Sequence, residues 1–378
     1  MTPALIGGRV ASVEEAVAAA ALLLRAARLP LVFGLVESTV EAQREAARLA
    51  EALGGVIDSA ATLGRLSSLA AFAQAGLVTA SLGALRQRAD LVVFWGCDPE
   101  GAPPAFEPRF LGERSGRQRI AVDVGDARGP AGIDQRLALT RRQELDALVA
   151  LRALVRGRRV DAAIAAPSGL PLEALRTLAA RLSRCTYGVI VHDGDPPPDR
   201  RAPERAWALG MLAREASHKT CLRLFAVRSP GNAVGAENVL AWRSGFPAAV
   251  SFARGEPRYD PSGGSGEVML RRGDVDAALV VGTEPQHFLT SEAQAQLSRT
   301  PTVRLGPELT PGTEPPAVFI ATAPAAATPG SLFRMDGIAV RRTPAPAERE
   351  AARERPTEAA VLARIAAALE APSGKARA

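Results

Sequence analysis

"DLVVFWGCDP" (Asp90 to Pro99) returns in the later part of the chain as "DAALVVGTEP" (Asp276 to Pro285). Each copy reads Asp, a hydrophobic run, Gly, one small residue, an acid and Pro at identical offsets. A short apolar run closed by Gly suits a buried parallel strand. In an open parallel sheet, ligands bind outside the carboxyl ends of the strands. Gly-x-acid-Pro stands at such an end, where a missing Cβ allows close approach to the backbone. Two facing crevices of this kind would hold a long ligand with similar ends, such as a dinucleotide. The same four residues also serve simply to turn a chain after a strand, and the motif alone does not separate these readings.

Working outward, apolar runs at 29–35, 55–58, 118–124, 187–193, 221–227, 302–306 and 317–322 read as further strands. Helical spacing falls between them at 14–27, from Ser38 or Thr39 to Leu53, from about Leu66, and at 142–156, 172–182 and 204–217. The alternation predicts α/β architecture, a parallel sheet covered by helices. The expected organisation is two Rossmann-like parallel-sheet domains related by an internal repeat. These are 1–157 and 158–345, followed by a C-terminal helix (Glu358–Leu369) and unstructured tail in 346–378. The Gly- and Pro-rich stretch from Arg228 to Gly266 reads as irregular.

Composition narrows the function classes. The chain has 378 residues, 47% of them hydrophobic, and a mean hydropathy of +0.04, as for a soluble globular protein with ample core. Only two of its 46 basic residues are Lys, a bias expected of a GC-rich genome. The net charge of +6 is spread over dispersed Arg doublets, with neither a basic stripe nor stacking aromatics, which argues against nucleic acid. Cys97, Cys185 and Cys221 form no C-x-x-C pair and point to a reducing cytoplasm. No signal peptide is evident, and the apolar stretch Ala16 to Leu24 is too short to span a bilayer. His192, His218 and His287 lack metal-ligand spacing.

The loops carry a family resemblance. "STVEAQREAARLAEALGGVIDSAAT" (38–62), "FWGCDPE" (94–100), "GFPAAVSFARGEPRYDP" (245–261), "VDAALVVGTEP" (275–285) and "GSLFRMDGIAVR" (330–341) resemble the B subunit of formylmethanofuran dehydrogenase, in the molybdopterin oxidoreductase superfamily. The resemblance runs from about residue 10 to residue 345. It implies a bis-pterin guanine dinucleotide between two Rossmann-like domains. It also implies a metal-binding Cys or selenocysteine, then His, shortly after "VID". Gly64 and Arg65 stand there. Gly offers no side chain, and Arg cannot be deprotonated to bind a metal. Pro103 stands where the family carries another His, and the family's iron–sulfur N-terminal domain is expected to be missing.

One relative matches these departures, the B subunit of the formyltransferase/hydrolase complex of methylotrophic bacteria. That resemblance implies a cytoplasmic, non-redox structural subunit without catalytic residues, metal or cofactor, held by A, C and D subunits. The complex would move formyl from tetrahydromethanopterin to a methanofuran-type carrier and release formate. Gly64, Arg65, Gly96, Cys97, Asp98, Gly282 and Glu284 would then line a vestigial cofactor cleft. Arg65 is expected to narrow it near Cys97 and Asp98. Arg254, Glu256, Arg258 and Arg334 are candidate anion or partner contacts, either on a glutamate-rich carrier tail or in an internal ion-pair cluster; Asp336 shares the ambiguity. Two rivals are a working molybdenum or tungsten subunit that keeps its pterin cofactor, and a thiamine-enzyme central domain. The latter leaves "GFPAAVSFARGEPRYDP" unexplained.

Overall fold

The computed structural model describes residues 3–99, 106–112, 115–196, 199–228, 231–310 and 314–371. The chain is mixed α/β and separates into two compact units, each built on a largely or wholly parallel sheet. The first comprises Met1–Leu63, Gly231–Arg334 and Ala339–Ala378; the second comprises Gly64–Pro230 and Met335–Ile338.

In the first unit, Val56–Ser59, Pro30–Gly34, Ala277–Val281, Thr302–Gly306 and Val318–Ala321 run parallel in that order. Antiparallel strands extend both sides, Val250–Ser251 and Arg258–Tyr259 at one, Ala4–Ile6 and Arg9–Ala11 at the other. Alternate residues of a strand face opposite sides. Val32, Leu279, Val303 and Ile320 accordingly pack under helices Val13–Ala26, Val40–Ala52, Ala233–Ser244 and Glu358–Glu370. Leu31 and Phe33 pack on the opposite face with Met269, Leu270 and Ala293. Side chains cap these helices: Ser12 and Glu15 form a reciprocal capping box, and Thr39 and Thr357 accept from Ala42 N and Ala360 N.

In the second unit all five strands are parallel, in the order Gln135–Leu139, Gln118–Val124, Leu91–Trp95, Tyr187–Asp193, Cys221–Val227. Leu91, Val93 and Trp95 face helices Glu144–Val155, Leu172–Arg184 and Ala202–Ala216. Val92 and Phe94 face the cluster of Leu85, Phe106 and Phe225. Each sheet reverses its winding once. The reversal falls between Pro30–Gly34 and Ala277–Val281 in the first unit, and between Leu91–Trp95 and Tyr187–Asp193 in the second. Both repeats therefore supply a strand that borders a switch point.

The α/β class with parallel sheets holds, but the expected division into 1–157 and 158–345 does not. Tyr187–Asp193 and Cys221–Val227 complete the sheet of Leu91–Trp95, and Ala277–Val281 pairs with Pro30–Gly34. Sheet neighbours, not chain order, set the boundaries. The C-terminal helix is no separate appendage either, because Val361, Leu362 and Ile365 are fully buried in the first core. The Arg228–Gly266 stretch holds helix Ala233–Ser244 and two short strands, and Gln135–Leu139 is a strand that the sequence reading does not anticipate. The anticipated tail at 372–378 lies outside the described residues.

The Asp that begins each repeat has a structural role. Asp90 accepts from Thr186 N and Tyr187 N, both at 2.8 Å. Asp276 accepts from Arg28 N and Leu29 N, both at 2.9 Å. Each carboxylate thus ties down the start of the strand across the switch point. Burial opposes the charge, but the amide donors outweigh it and hold both carboxyls below the usual range.

Candidate functional site at two strand ends

In the second unit, Gly96 follows its strand with φ 54° and donates to Val122 O at 2.7 Å. Cys97 is buried. Desolvation, with Asp193 and Asp98 adding to it, pushes its thiol up to about 12. A thiol held protonated is a poor nucleophile. Asp98 is exposed and has a partner of its own. A cavity of about 270 Å³ opens beside Gly96, lined by Trp95, Arg141, Glu144, His192 and Arg205 among others. Trp95 Nε1 donates to Glu144 Oε1 at 2.9 Å, and Arg205 Nε meets Glu144 Oε2 at 3.0 Å. Burial still raises the Glu144 carboxyl, against the pull of Trp95 and Arg205. His192 is held neutral, its basicity pushed down to about 4 chiefly by burial. Its Nδ1 lies 2.9 Å from Asp193 O.

Gly64 has no room for a side chain. A Cβ there would lie 2.8 Å from the Asp195 carbonyl oxygen and 3.2 Å from its carbon. The obstacle is backbone, and it is anchored. Asp195 Oδ1 meets Arg228 Nε at 2.9 Å, with both side chains nearly buried. The position where the family resemblance expects a metal-binding Cys is thus sterically closed, and the residues present do not fit the metal. Arg65 lines a cavity of about 120 Å³ with Ser68, His192, Arg228 and Asp336. Pro103 lies outside the described residues. Among the described residues, no three His, Cys, Asp or Glu side chains are grouped to hold a metal.

The first unit's strand end is more strained and more open. Gly34 has φ 117°, and Leu35 follows at φ 71°, a conformation that costs a non-glycine residue about 1 kcal/mol or more. The 35–38 loop is held in place. Leu35 N donates to Val281 O at 2.7 Å and Glu37 N to Gly282 O at 2.8 Å. Gln43 Nε2 donates to Leu35 O and Asn232 O, and Asn232 Nδ2 to Ser38 O. Gly282 has φ 52°, and Glu284 pairs with Arg304 and accepts from Thr310 Oγ1 at 2.6 Å. Beyond these groups lies a cavity of about 720 Å³. Glu358 is buried against it. Desolvation, with the charge of Glu37 adding to it and nearby Ser38 opposing, pushes this carboxyl up to about 7.

Arg254, Glu256 and Arg258 are exposed, and Arg258 Nη2 meets Glu256 Oε1 at 2.6 Å on the surface. This is a local surface pair, not an internal cluster that pins the loop. Arg334 is half-buried and engaged; Asp336 accepts from Leu82 N at 2.8 Å. Ser38, Asn232, Arg304 and Glu358 carry no sequence motif, and reading by motif misses all four. Asp58 is missed as well. Buried, it accepts from Ser59 N, Thr62 Oγ1, Ala249 N and Gly266 N, and burial raises its carboxyl to about 6 despite those donors.

No family model matches the chain. It is 28% identical over 340 residues to the B subunit of tungsten-containing formylmethanofuran dehydrogenase 2 of Methanocaldococcus jannaschii, covering 87% of this chain and 77% of that protein. It is 29% identical over 286 residues to the B subunit of the formyltransferase/hydrolase complex Fhc of Methylorubrum extorquens, covering 75% of each. Its structure matches a chain in the crystal structure of the formyltransferase/hydrolase complex FhcABCD from Methylorubrum extorquens with methylofuran. The TM-score is 0.78 at 26% identity, covering 97% and 98% of the two chains. Acetylene hydratase from Pelobacter acetylenicus shares the fold, with a TM-score of 0.66 at 12% identity over 98% of this chain and 61% of that one.

Proposed function

We propose, from the homology of this chain to the B subunits of tungsten formylmethanofuran dehydrogenase and of the formyltransferase/hydrolase complex, that it is a non-redox structural subunit of a formyltransferase/hydrolase complex. The observation that carries the reading is Gly64, whose missing side chain could not be restored without moving the Asp195 backbone. With that position closed, the described residues offer no side chain where the family resemblance expects the soft anionic ligand for molybdenum or tungsten. Formyl transfer from tetrahydromethanopterin to a methanofuran-type carrier, and hydrolysis to formate, would then take place on partner subunits. This chain would contribute surface. Among its described residues no helix is long and apolar enough to cross a membrane.

A second reading, a working tungsten or molybdenum subunit, draws on the similarity to the tungsten dehydrogenase over 87% of the chain. One preparation separates the two. The chain is purified with the products of neighbouring genes and analysed for metals. The structural reading expects co-purification with A, C and D subunits and no stoichiometric molybdenum or tungsten. Obligate interfaces commonly exceed about 2,000 Å², so the chain alone should be poorly stable. About one Mo or W per chain, or a well-behaved monomer indifferent to those subunits, would sink it. Gly64→Cys should acquire no metal either.

A further inference from the structure

The charge around the first unit's cavity is of the wrong sign for the phosphate-bearing ligand that twin strand ends suggest. Glu37, Glu284, Glu308 and Glu358 line it, against Arg304 and Arg342. Both arginines are paired, Arg304 through Nη2 alone, its buried Nε having no hydrogen-bond partner. Arg304 pairs with Glu284, while Arg342 donates to Ala326 O at 2.7 Å and meets Glu348 at 3.3 Å. Glu37, Glu308 and Glu358 are left without a cationic partner among the described residues.

An independent feature points into the same space. Glu358 is only 7% exposed, and the Oγ of fully buried Ser38 lies close enough to lower its carboxyl but makes no hydrogen bond of normal geometry. A buried polar atom without a hydrogen bond, such as this hydroxyl, is rare because it forfeits its hydration. Both face the corner left by Gly282. A Cβ there would collide with Ser38 Oγ and sit 3.0 and 3.2 Å from the Glu358 oxygens. The glycine keeps that corner open.

We infer that this cavity takes a ligand with a guanidinium or amine head on an apolar stem. The head donates to Glu358 and Ser38 in charge-assisted hydrogen bonds, and the stem lies along Leu309, Leu332, Pro324 and Ala325. The head is either that of a free small amine or a basic side chain of a partner subunit. Glu358 titrates near neutrality in a field set by Glu37, the Glu284–Arg304 pair, Glu308 and Arg342. Binding therefore strengthens as pH rises and that carboxyl ionises. The inference rests on the cavity alone and stands whether or not the chain serves a formyltransferase/hydrolase complex.

Agmatine is the probe, titrated calorimetrically into the full chain and into the complex that co-purifies with it, at pH 6 and pH 8. Binding to the chain should be about tenfold tighter at pH 8 and release a proton, with the dependence lost in Glu358→Gln. Glu37→Gln, at an exposed position, should weaken binding severalfold and keeps the test decisive if Glu358→Gln fails to fold. Binding to both chain and complex identifies a free amine; binding to the chain alone identifies a partner's side chain. No binding by folded chain, equal affinity at both pH values, or tighter binding of guanosine monophosphate would overturn the assignment.

Discussion

The two repeats share a backbone plan and part company at their side chains. Gly96 and Gly282 have φ angles of 54° and 52°, and the Asp at the head of each repeat clamps two amides of the neighbouring strand. Past the glycine the environments differ. At Gly96 the space a Cβ would take is bounded by Val124 at 3.2 Å, followed by a buried thiol. At Gly282 it is bounded by an unpaired hydroxyl and a carboxyl poised near pH 7. The atoms nearest Gly96 are apolar, with a polar-lined cavity of about 270 Å³ beside them, whereas those nearest Gly282 are themselves polar and face the larger cavity of about 720 Å³. The two repeats thus carry different side-chain chemistry on one backbone plan.

The largest expected effect comes from closing the open end. Gly282→Ala combines a left-handed φ with a collision against Ser38 Oγ and should cost about 3 kcal/mol, against about 1 kcal/mol for Gly96→Ala. Urea denaturation of the two variants checks it, and equal losses would erase the distinction between the ends.

A second test uses pH. The folded Glu358 carboxyl sits near 7, above its ordinary value of 4.5, so its stabilising contribution is full below about pH 4.5 and lost as pH rises through 7. Glu358→Gln should therefore match the parent near pH 4.5 and gain on it up to roughly 3 kcal/mol by pH 8. Asp58, raised to about 6, works in the same direction, and His192, lowered to about 4, works in the opposite one. Only the difference between variant and parent isolates Glu358. A difference independent of pH would remove it from the comparison.

The shared part of the plan predicts equality. Asp90→Ala and Asp276→Ala each remove an acceptor for two backbone amides and should cost about 2 kcal/mol apiece, measured by the same denaturation. A loss at one site alone would mean that the repeat is not structural at the other.

The smallest effect belongs to the surface. Arg258→Ala breaks an exposed pair with Glu256 and should change stability by less than about 0.5 kcal/mol. If the arginine grips a carrier's glutamate tail, carrier KM rises instead, and added salt reproduces the rise. Unchanged KM would leave the arginine without a role in carrier binding.

How much of this the amino-acid order discloses depends on the range of the interactions. Buried parallel strands such as Gln118–Val124 and Thr302–Gly306 are continuous apolar runs and stand out. Gln135–Leu139 is half-exposed and its "QRLAL" too short to stand out; helix Ala233–Ser244 hides its register behind Gly231 and Gly235. The domain division is illegible because Pro30 pairs with Ala277, a contact that no local pattern encodes. Gly64 can be found by counting from Asp58, but its closure cannot, since the obstructing Asp195 is remote in the chain. Ser38 and Glu358 meet from opposite ends of the sequence with no motif to announce them.

The interleaved chain path sets a schedule for synthesis. Apart from Met335–Ile338, the second unit is contiguous from Gly64 to Pro230, so its whole parallel sheet can assemble while the rest of the chain is still being made. Strand Pro30–Gly34 finds Val56–Ser59 almost at once, but its other neighbour begins only at Ala277, after the whole contiguous part of the second unit has been made. At translation rates of about 5–20 residues per second, that edge stays unpaired for roughly 12 to 50 seconds. The helices that bury Leu31, Val32 and Phe33 in the finished core arrive in part after it. A nascent chain in this interval carries a bare apolar strand edge, and its yield in a cell is set as much by what shields that edge as by the stability of the finished fold.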